Sequence, residues 1–367
     1  PAEPTGDESP GADMLYSSGT TGRPKGVKPV LPEGPVDVPN PLIGMAQSLW
    51  GMNADSMYLS TSPLYHAAPL RWAMTAQRLG AVVVVMERFD AEQTLALIQQ
   101  YRITHTTVVP THFIRMLKMP DEARNAYDVS SLKAVVHAAA PCPVPVKQAM
   151  IDWMGPIIHE YYAGTENCGL TALDSHAWLT KRGSVGRAIL GKVKIVDEND
   201  NELPAGEVGA VYFADGPGFE YHNDPEKTAS AYNRHGWATL GDIGQLDEDG
   251  YLFLTDRKSF MIISGGVNIY PQEIENLLVT HPKVSDIAVI GAPDEDMGEK
   301  VVAIVEPLDW ADAGPALAED LKTFALEGLG KVKCPRQFDF LEALPREPTG
   351  KLMKRKLRDE YWSKTNA

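Results

Sequence analysis

The stretch YSSGTTGRPKGV at residues 16–27 gathers hydroxyl side chains and glycines around one mobile lysine. That inventory suits a polyphosphate. Gly19 and Gly22 let backbone N–H groups approach a charged oxygen closely, Ser17, Ser18, Thr20 and Thr21 add hydroxyl donors, and Lys25 brings positive charge. A glycine-rich turn that binds nothing has the same composition. The stretch is not a Walker loop, because Gly22 is followed by Arg23, Pro24 and Lys25 with no Gly-Lys-Ser/Thr, and proline enters a helix only in its first turn.

Four further stretches carry candidate chemistry, in chain order. YYAGTE at 161–166 sets an aromatic face, a small residue, a hydroxyl and a carboxylate in succession after a strand; it also reads as a plain strand-end turn. TLGD at 239–242 presents Asp242, as a bare sequence equally a turn carboxylate. DRKSFMIISGGVNIYPQEIE at 256–275 contains Arg257 and the pair Gly265–Gly266. PREPTGK at 345–351 ends in Lys351, which on its own reads as a solvated member of a basic helix start, as do Lys354, Arg355, Lys356 and Arg358. In SPLYHAAPLRW at 62–72, His66 sits on an apolar segment where a satisfied core histidine is the ordinary case. The alanines of AAAP at 138–141 need be no more than core packing.

These residues must be held by an alternating framework. AVVVVM at 81–86 predicts a strand, AEQTLALIQQYR at 91–102 a helix, THTTVV at 104–109 a strand, LKAVVHA at 132–138 another, Val144 to Met154 a helix and PIIHEYY at 156–162 a strand. This is a βαβ series, so the fold class is α/β with a buried parallel sheet and ligands gathered at the strands' carboxyl ends. From about Gly183 short strands and polar turns predict a β-rich subdomain. Beyond residues 256–260 a helix opened by Pro271, strands in VSDIAVIGA and KVVAIVEP, and a helix in ALAEDLKTFALEGL predict a small α+β domain on a tight pivot.

Taken in this order, the stretches resemble the adenylate-forming superfamily of acyl-CoA synthetases, aryl-CoA ligases, luciferases and peptide-synthetase adenylation domains. The resemblance covers essentially the whole chain. It implies a large AMP-binding domain over residues 1–256, lacking the family's leading N-terminal segment, and a small mobile C-terminal domain over 257–367. It further implies that the 17–25 loop cradles ATP phosphates, Tyr162 stacks on adenine with Ala139 and Ala140 lining it, and Asp242 and Arg257 address the ribose. Thr165 would touch phosphate and Glu166 would hold Mg²⁺. Lys351 would reach from the small domain to the carboxylate and α-phosphate during adenylation. After rotation of the small domain, Gly265 and Gly266 would line a passage for coenzyme A.

The implied reaction joins a carboxylic acid to AMP and then to coenzyme A, without an enzyme nucleophile. Two positions depart from the family pattern: Ala163 stands where glycine is common, beside the acyl pocket, and Ser259 stands at the pivot in place of Lys or Asp. In similar acyl-CoA synthetases an aromatic or histidine at the place of His66 gates the acyl channel, while amino-acid-activating relatives place an aspartate there. A hydrophobic acid, fatty or cyclic, is the expected substrate. Loading of a carrier protein, or nucleotide binding without turnover, are the alternatives.

Composition agrees with this class. The chain has 367 residues, a formal net charge of −15 and 44% hydrophobic residues, which predicts a globular protein of two or more domains that repels nucleic acid and anionic membrane on its average face. Cys142, Cys168 and Cys334 have no metal-ligand spacing and make a disulfide framework improbable, so a reducing cytoplasm is expected. No apolar run is long enough for an integral membrane span. The opening PAEPTGDESPGAD reads as a linker inside a longer protein, and homo-oligomerisation is left open.

Overall fold

The computed structural model describes residues 10–18, 24–38, 40–346 and 352–365. A seven-stranded sheet forms the centre, in the spatial order Val82–Val85, Met57–Ser60, His105–Val108, Ala134–His137, Ile158–Ala163, Leu170–Leu173, Arg187–Leu190. The first five strands run parallel. Each is short, and Val82–Val85, His105–Val108 and Ala134–His137 are rich in β-branched residues, as parallel strands commonly are. Helices Ala67–Arg78, Ala91–Tyr101, Pro110–Leu117 and Val144–Met154 make the connections. Their starts are written locally: Asp90 accepts from the Gln93 N–H, and proline occupies the first turn of Pro110–Leu117 and Val144–Met154. Leu59, Leu95, Ile98, Ile103, Phe113, Met150 and Ile158 are buried between sheet and helices, as the core that holds the strand ends in place.

The sheet departs from the all-parallel expectation at one edge. Leu170–Leu173 pairs antiparallel with both Ile158–Ala163 and Arg187–Leu190, and the latter brings a strand from the region assigned to the β-rich subdomain into the central sheet. The reason is the connection length. Residues 164–169 are too few for a parallel crossover, and the chain can only double back.

Three smaller sheets surround this body. Leu15–Ser18, Pro24–Pro29 and Phe219–Tyr221 form one. Lys192–Val196, Gly209–Ala214, Ala238–Leu246 and Leu252–Arg257 form an antiparallel sheet in that order, the expected β-rich unit. The C-terminal part holds Val284–Asp294 paired with Gly298–Pro307, the hairpin Ile262–Ser264 with Val267–Ile269, and Gln337–Phe340 parallel to Gly298–Pro307. Helices Pro271–Leu278, Pro315–Gly328 and Lys354–Thr365 pack with it.

Lys354 corrects the reading of a solvated basic stretch. It is 8% exposed, and its Nζ lies 2.6 Å from Glu275 Oε1 and 2.8 Å from Oε2. The helix Lys354–Thr365 lies on the strand Val284–Asp294, and this docking carries its first residue inward to a carboxylate on Pro271–Leu278 that also accepts from the Val289 N–H at 2.6 Å. Arg355, Lys356 and Arg358 do lie on the exposed side.

Candidate active site

The antiparallel pairing of Leu15–Ser18 with Pro24–Pro29 sets Ser18 opposite Pro24 and Ser17 opposite Lys25. Gly19, Thr20, Thr21 and Gly22 lie outside the described residues, as do the side chains of Ser17 and Ser18. Lys25 is described. Its Nζ lies 3.4 Å from Glu166 Oε1 and 2.8 Å from the hydroxyl of Tyr221, which in turn lies 2.8 Å from the same Glu166 oxygen. Burial pushes the Lys25 ammonium below its ordinary range, and Glu166 opposes that shift. Glu166 reaches the cluster from the loop after Ile158–Ala163 by folding back over Gly164. A Cβ at 164 would lie 2.4 Å from Leu240 and 2.8 Å from Glu166 Oε2, so only glycine leaves the carboxylate this path.

A second cluster lies on the same strand. Side chains alternate along Ile158–Ala163, so Tyr162 faces away from Tyr161 and Ala163. The Tyr162 hydroxyl donates to Asp242 Oδ2 at 2.6 Å, and Arg257 Nε lies 3.2 Å from Asp242 Oδ1. Asp242 stands opposite Arg257 in the register of Ala238–Leu246 with Leu252–Arg257, which is why residues far apart in sequence meet here. Burial raises the Asp242 carboxyl, while Arg257 and Tyr162 pull it back; burial and then Asp242 raise the Tyr162 phenol well above its ordinary value. Tyr162 therefore donates to Asp242, whose oxygens have two partners, Tyr162 and Arg257.

Ala139 and Ala140 are exposed rather than packed in the core, and Ala139 has φ +75°. A left-handed alanine costs roughly 1–2 kcal/mol, which places a strained, open turn at the carboxyl end of Ala134–His137. That is where an open α/β sheet receives ligands.

The other face of Ile158–Ala163 is aromatic. Trp72 Nε1 donates to the Tyr161 hydroxyl at 2.9 Å, and Trp50 meets the Trp72 ring edge-on at 4.4 Å. All three are buried, with Leu64, Ala68 and Ala163 packed against them. His66 stands at the N-cap of Ala67–Arg78, half-buried, its ring 4.8 Å from that of Tyr65. Arg71 on the same helix binds Asp13 at 2.8 Å and reaches the Thr165 carbonyl at 3.5 Å. Thr165 is half-buried between the two clusters' loops.

Gly265 and Gly266, at φ +56° and +77°, form the two-residue turn between Ile262–Ser264 and Val267–Ile269. The Gly265 N–H donates to Met297 O at 2.8 Å, so the turn is seated on its own small sheet. Lys351 lies outside the described residues; Arg346 and Leu352, on either side of it, pair as an antiparallel bridge. Burial lifts all three thiols, Cys168 up to about 12.

Tyr221 and Arg71 escaped the sequence reading. Tyr221 joins Lys25 because it lies opposite Val27 in a strand pairing between segments remote in sequence, and nothing in GFEYHNDP announces that register. Arg71 was visible beside Trp72, but its contact with Thr165 depends on how its helix lies against the sheet.

The chain matches the family model of AMP-binding enzymes over residues 2–219 and that of the AMP-binding enzyme C-terminal domain over residues 273–351. It is 35% identical over 354 residues to long-chain-fatty-acid–CoA ligase FadD13 of Mycobacterium tuberculosis, covering 95% of this chain and 67% of that one. Fatty acid–[acyl-carrier-protein] ligase ScoC of Streptomyces coeruleorubidus is 34% identical, with 95% and 67% covered. Among solved structures, o-succinylbenzoate CoA synthetase of Bacillus subtilis with its acyl-adenylate intermediate superposes with a TM-score of 0.80 at 28% identity, covering 94% of this chain and 68% of that one. The same enzyme with ATP and magnesium gives a TM-score of 0.78 at 27% identity, with 94% and 69% covered. The chain thus spans about two thirds of the length of these relatives, and it belongs to the adenylate-forming AMP-binding enzyme family, in its acyl-CoA synthetase branch.

Proposed function

We propose that the chain carries the ATP-dependent activation of a hydrophobic carboxylic acid to acyl-AMP and its transfer to coenzyme A. The observation that carries this reading is the placement of two charge clusters, Lys25–Tyr221–Glu166 and Tyr162–Asp242–Arg257, at one end of the strand Ile158–Ala163. One suits a polyphosphate and the other a ribose. A carboxylate is a poor nucleophile toward a polyanion, so the phosphate oxygens must be neutralised while the reactants are held in line. Lys25 with the hydroxyls and glycines of residues 17–22 supplies donors, and Lys351 supplies charge at the α-phosphate. Tyr162, Ala139 and Ala140 receive adenine, and Thr165 adds a hydroxyl beside the phosphates.

Magnesium fits a single-carboxylate site. Among the described residues no group of three or more acids, histidines or cysteines could hold a metal. Mg²⁺ commonly takes one or two carboxylates together with substrate phosphates and water, and Glu166 offers the one. When bound there it would neutralise phosphate charge.

The buried Trp50–Trp72–Tyr161 cluster behind Ala163, with Leu64 and Ala68, supports an apolar acid pocket, and His66 at the head of Ala67–Arg78 is its gate. No residue in this cluster offers an ion-pair partner for an α-ammonium group. The large domain ends at residue 256 and the small one begins at 257, with Ser259 at the pivot. Asp256 accepts from the N–H groups of Arg257 at 2.6 Å and Gln272 at 2.9 Å, a compact joint. Rotation about it would withdraw Lys351 and bring Gly265 and Gly266 to the coenzyme A passage.

The test is a panel of aliphatic and cyclic carboxylic acids assayed by mass for ATP-dependent CoA thioester. Apolar acids should react, and absence of thioester with every one rejects the reading. Transfer to a carrier protein, the activity named for the Streptomyces relative, is separated by the same assay. Pyrophosphate exchange without CoA-dependent thioester would favour the carrier. Lys351→Ala should lower adenylation about a hundredfold or more while leaving thioester formation from preformed acyl-AMP intact. Equal adenylation rates would remove Lys351 from the mechanism.

A further inference from the structure

The hydroxyl of Tyr221 stands between the two charged groups on which the ATP reading rests. Lys25 Nζ and Glu166 Oε1 each lie 2.8 Å from it, while their direct separation is 3.4 Å. An ammonium can only donate, so the phenol oxygen accepts from Lys25 and its own proton goes to Glu166. The ring also lies under the ammonium, 4.1 Å from Nζ to the centroid.

This phenol is held rather than adaptable. Tyr221 is 5% exposed, its backbone N–H donates to Thr228 Oγ1 at 2.9 Å, and its ring meets the Phe219 ring edge-on at 5.3 Å. Tyr221 lies opposite Val27, two residues beyond Lys25, so lysine and phenol ride on one three-stranded sheet. Glu166 comes from the central sheet. The phenol therefore joins two separate bodies at the point where a triphosphate would enter.

We propose that Tyr221 is a positioning residue that sets the spacing of Lys25 and Glu166: it holds the ammonium off the carboxylate before nucleotide binds and holds Glu166 oriented, through the phenol proton, once the lysine turns to the phosphates. The inference rests on the ATP reading and adds to it. Without the hydroxyl, the Lys25–Glu166 ion pair, now 3.4 Å long, tightens into one that an incoming phosphate must break. The contribution is confined to the phosphate end, so a ligand without phosphates is indifferent to it.

Tyr221→Phe in the full chain tests this, since it removes the oxygen and keeps the ring. Calorimetric titration should show the Kd for MgATP rising about tenfold and that for adenosine within about twofold of wild type, the expected loss for one hydrogen bond to a charged group. If the variant melts at a lower temperature, the ratio of the two affinities decides. In the nucleotide-free protein, acylation of Lys25 by an amine-reactive ester, mapped by mass spectrometry, should slow several-fold as the existing ion pair tightens. An unchanged affinity ratio, or Lys25 acylation unchanged or faster, overturns the role of Tyr221. Failure of the wild-type protein to bind MgATP would instead reject the ATP reading, with the acylation comparison still deciding whether Tyr221 sets the pair.

Discussion

Asp242 is the residue whose chemistry is most sharply set by its surroundings. It is 8% exposed, burial favours its neutral form, and it is kept available as an acceptor by Arg257 and by the Tyr162 hydroxyl at 2.6 Å. On the proposed reading, a ribose entering there would exchange one set of charged hydrogen bonds for another. Asp242→Ala should raise the KM for ATP in pyrophosphate exchange by roughly 10- to 100-fold, the equivalent of about 1.5–3 kcal/mol for hydrogen bonds to a charged group. A KM within twofold of wild type would remove the ribose from this carboxylate. Tyr162 and Arg257 would also lose a partner, so Asp242→Asn, which keeps the shape, should fall between wild type and alanine.

At the scale of elements, the helix Pro110–Leu117 carries a histidine that the sheet needs neutral. His112 stacks on Phe89 with ring centroids 3.6 Å apart, and Thr61 Oγ1 lies 3.3 Å from its Nδ1. Burial, with help from Arg115, pushes its imidazole down to about 3. The unfolded chain binds this proton near pH 6.5 and the folded chain does not until about 3. Folding is therefore fully supported above pH 6.5 and loses that support as pH falls toward 3. Urea unfolding should give a stability about 1–2 kcal/mol lower at pH 5 than at pH 7 on account of this group. His105 and His137 shift in the same direction through burial, so His112→Gln should reduce the slope with pH without abolishing it. An identical slope in the variant would show that the helix tolerates the charge.

Across the whole molecule, charge ties the C-terminal segment both internally and to the rest of the chain. Lys118, after the helix Pro110–Leu117, donates to the carbonyls of Val279 at 3.1 Å and of Val284, and so links the central body to the C-terminal part. Burial brings its ammonium down to about 8. Inside the small domain Glu275 and Lys354 form a pair in which burial raises the carboxyl and Lys354 draws it back. Removing one member leaves an uncompensated charge, so Lys354→Met should destabilise the small domain by about 3–5 kcal/mol, whereas joining it with Glu275→Leu should recover much of the loss. Calorimetric melting of the two variants checks this. A single variant that melts like wild type would place the pair effectively in solvent.

The order of elements was legible because buried parallel strands need β-branched runs and amphipathic helices need their spacing. Val144–Met154 begins and ends where the sequence reading put it, and Pro271 opens its helix as expected. Tyr162, Glu166 and Asp242 were legible as candidates because their short motifs, in their chain order, resemble those of the adenylate-forming family; on their own residues they read equally as turns. The antiparallel edge of the central sheet was not, since strand direction is decided by whether a connection can cross the sheet. Nor was the partnership of Tyr221 with Lys25, or the burial of Lys354. Those depend on strand register and on which helix face docks, and both are settled by the packing of segments remote in sequence. The sequence alone determined the repertoire of groups and the elements that bear them. Only the tertiary structure decided which charges are desolvated together, because distance and burial arise when separate sheets close on one another.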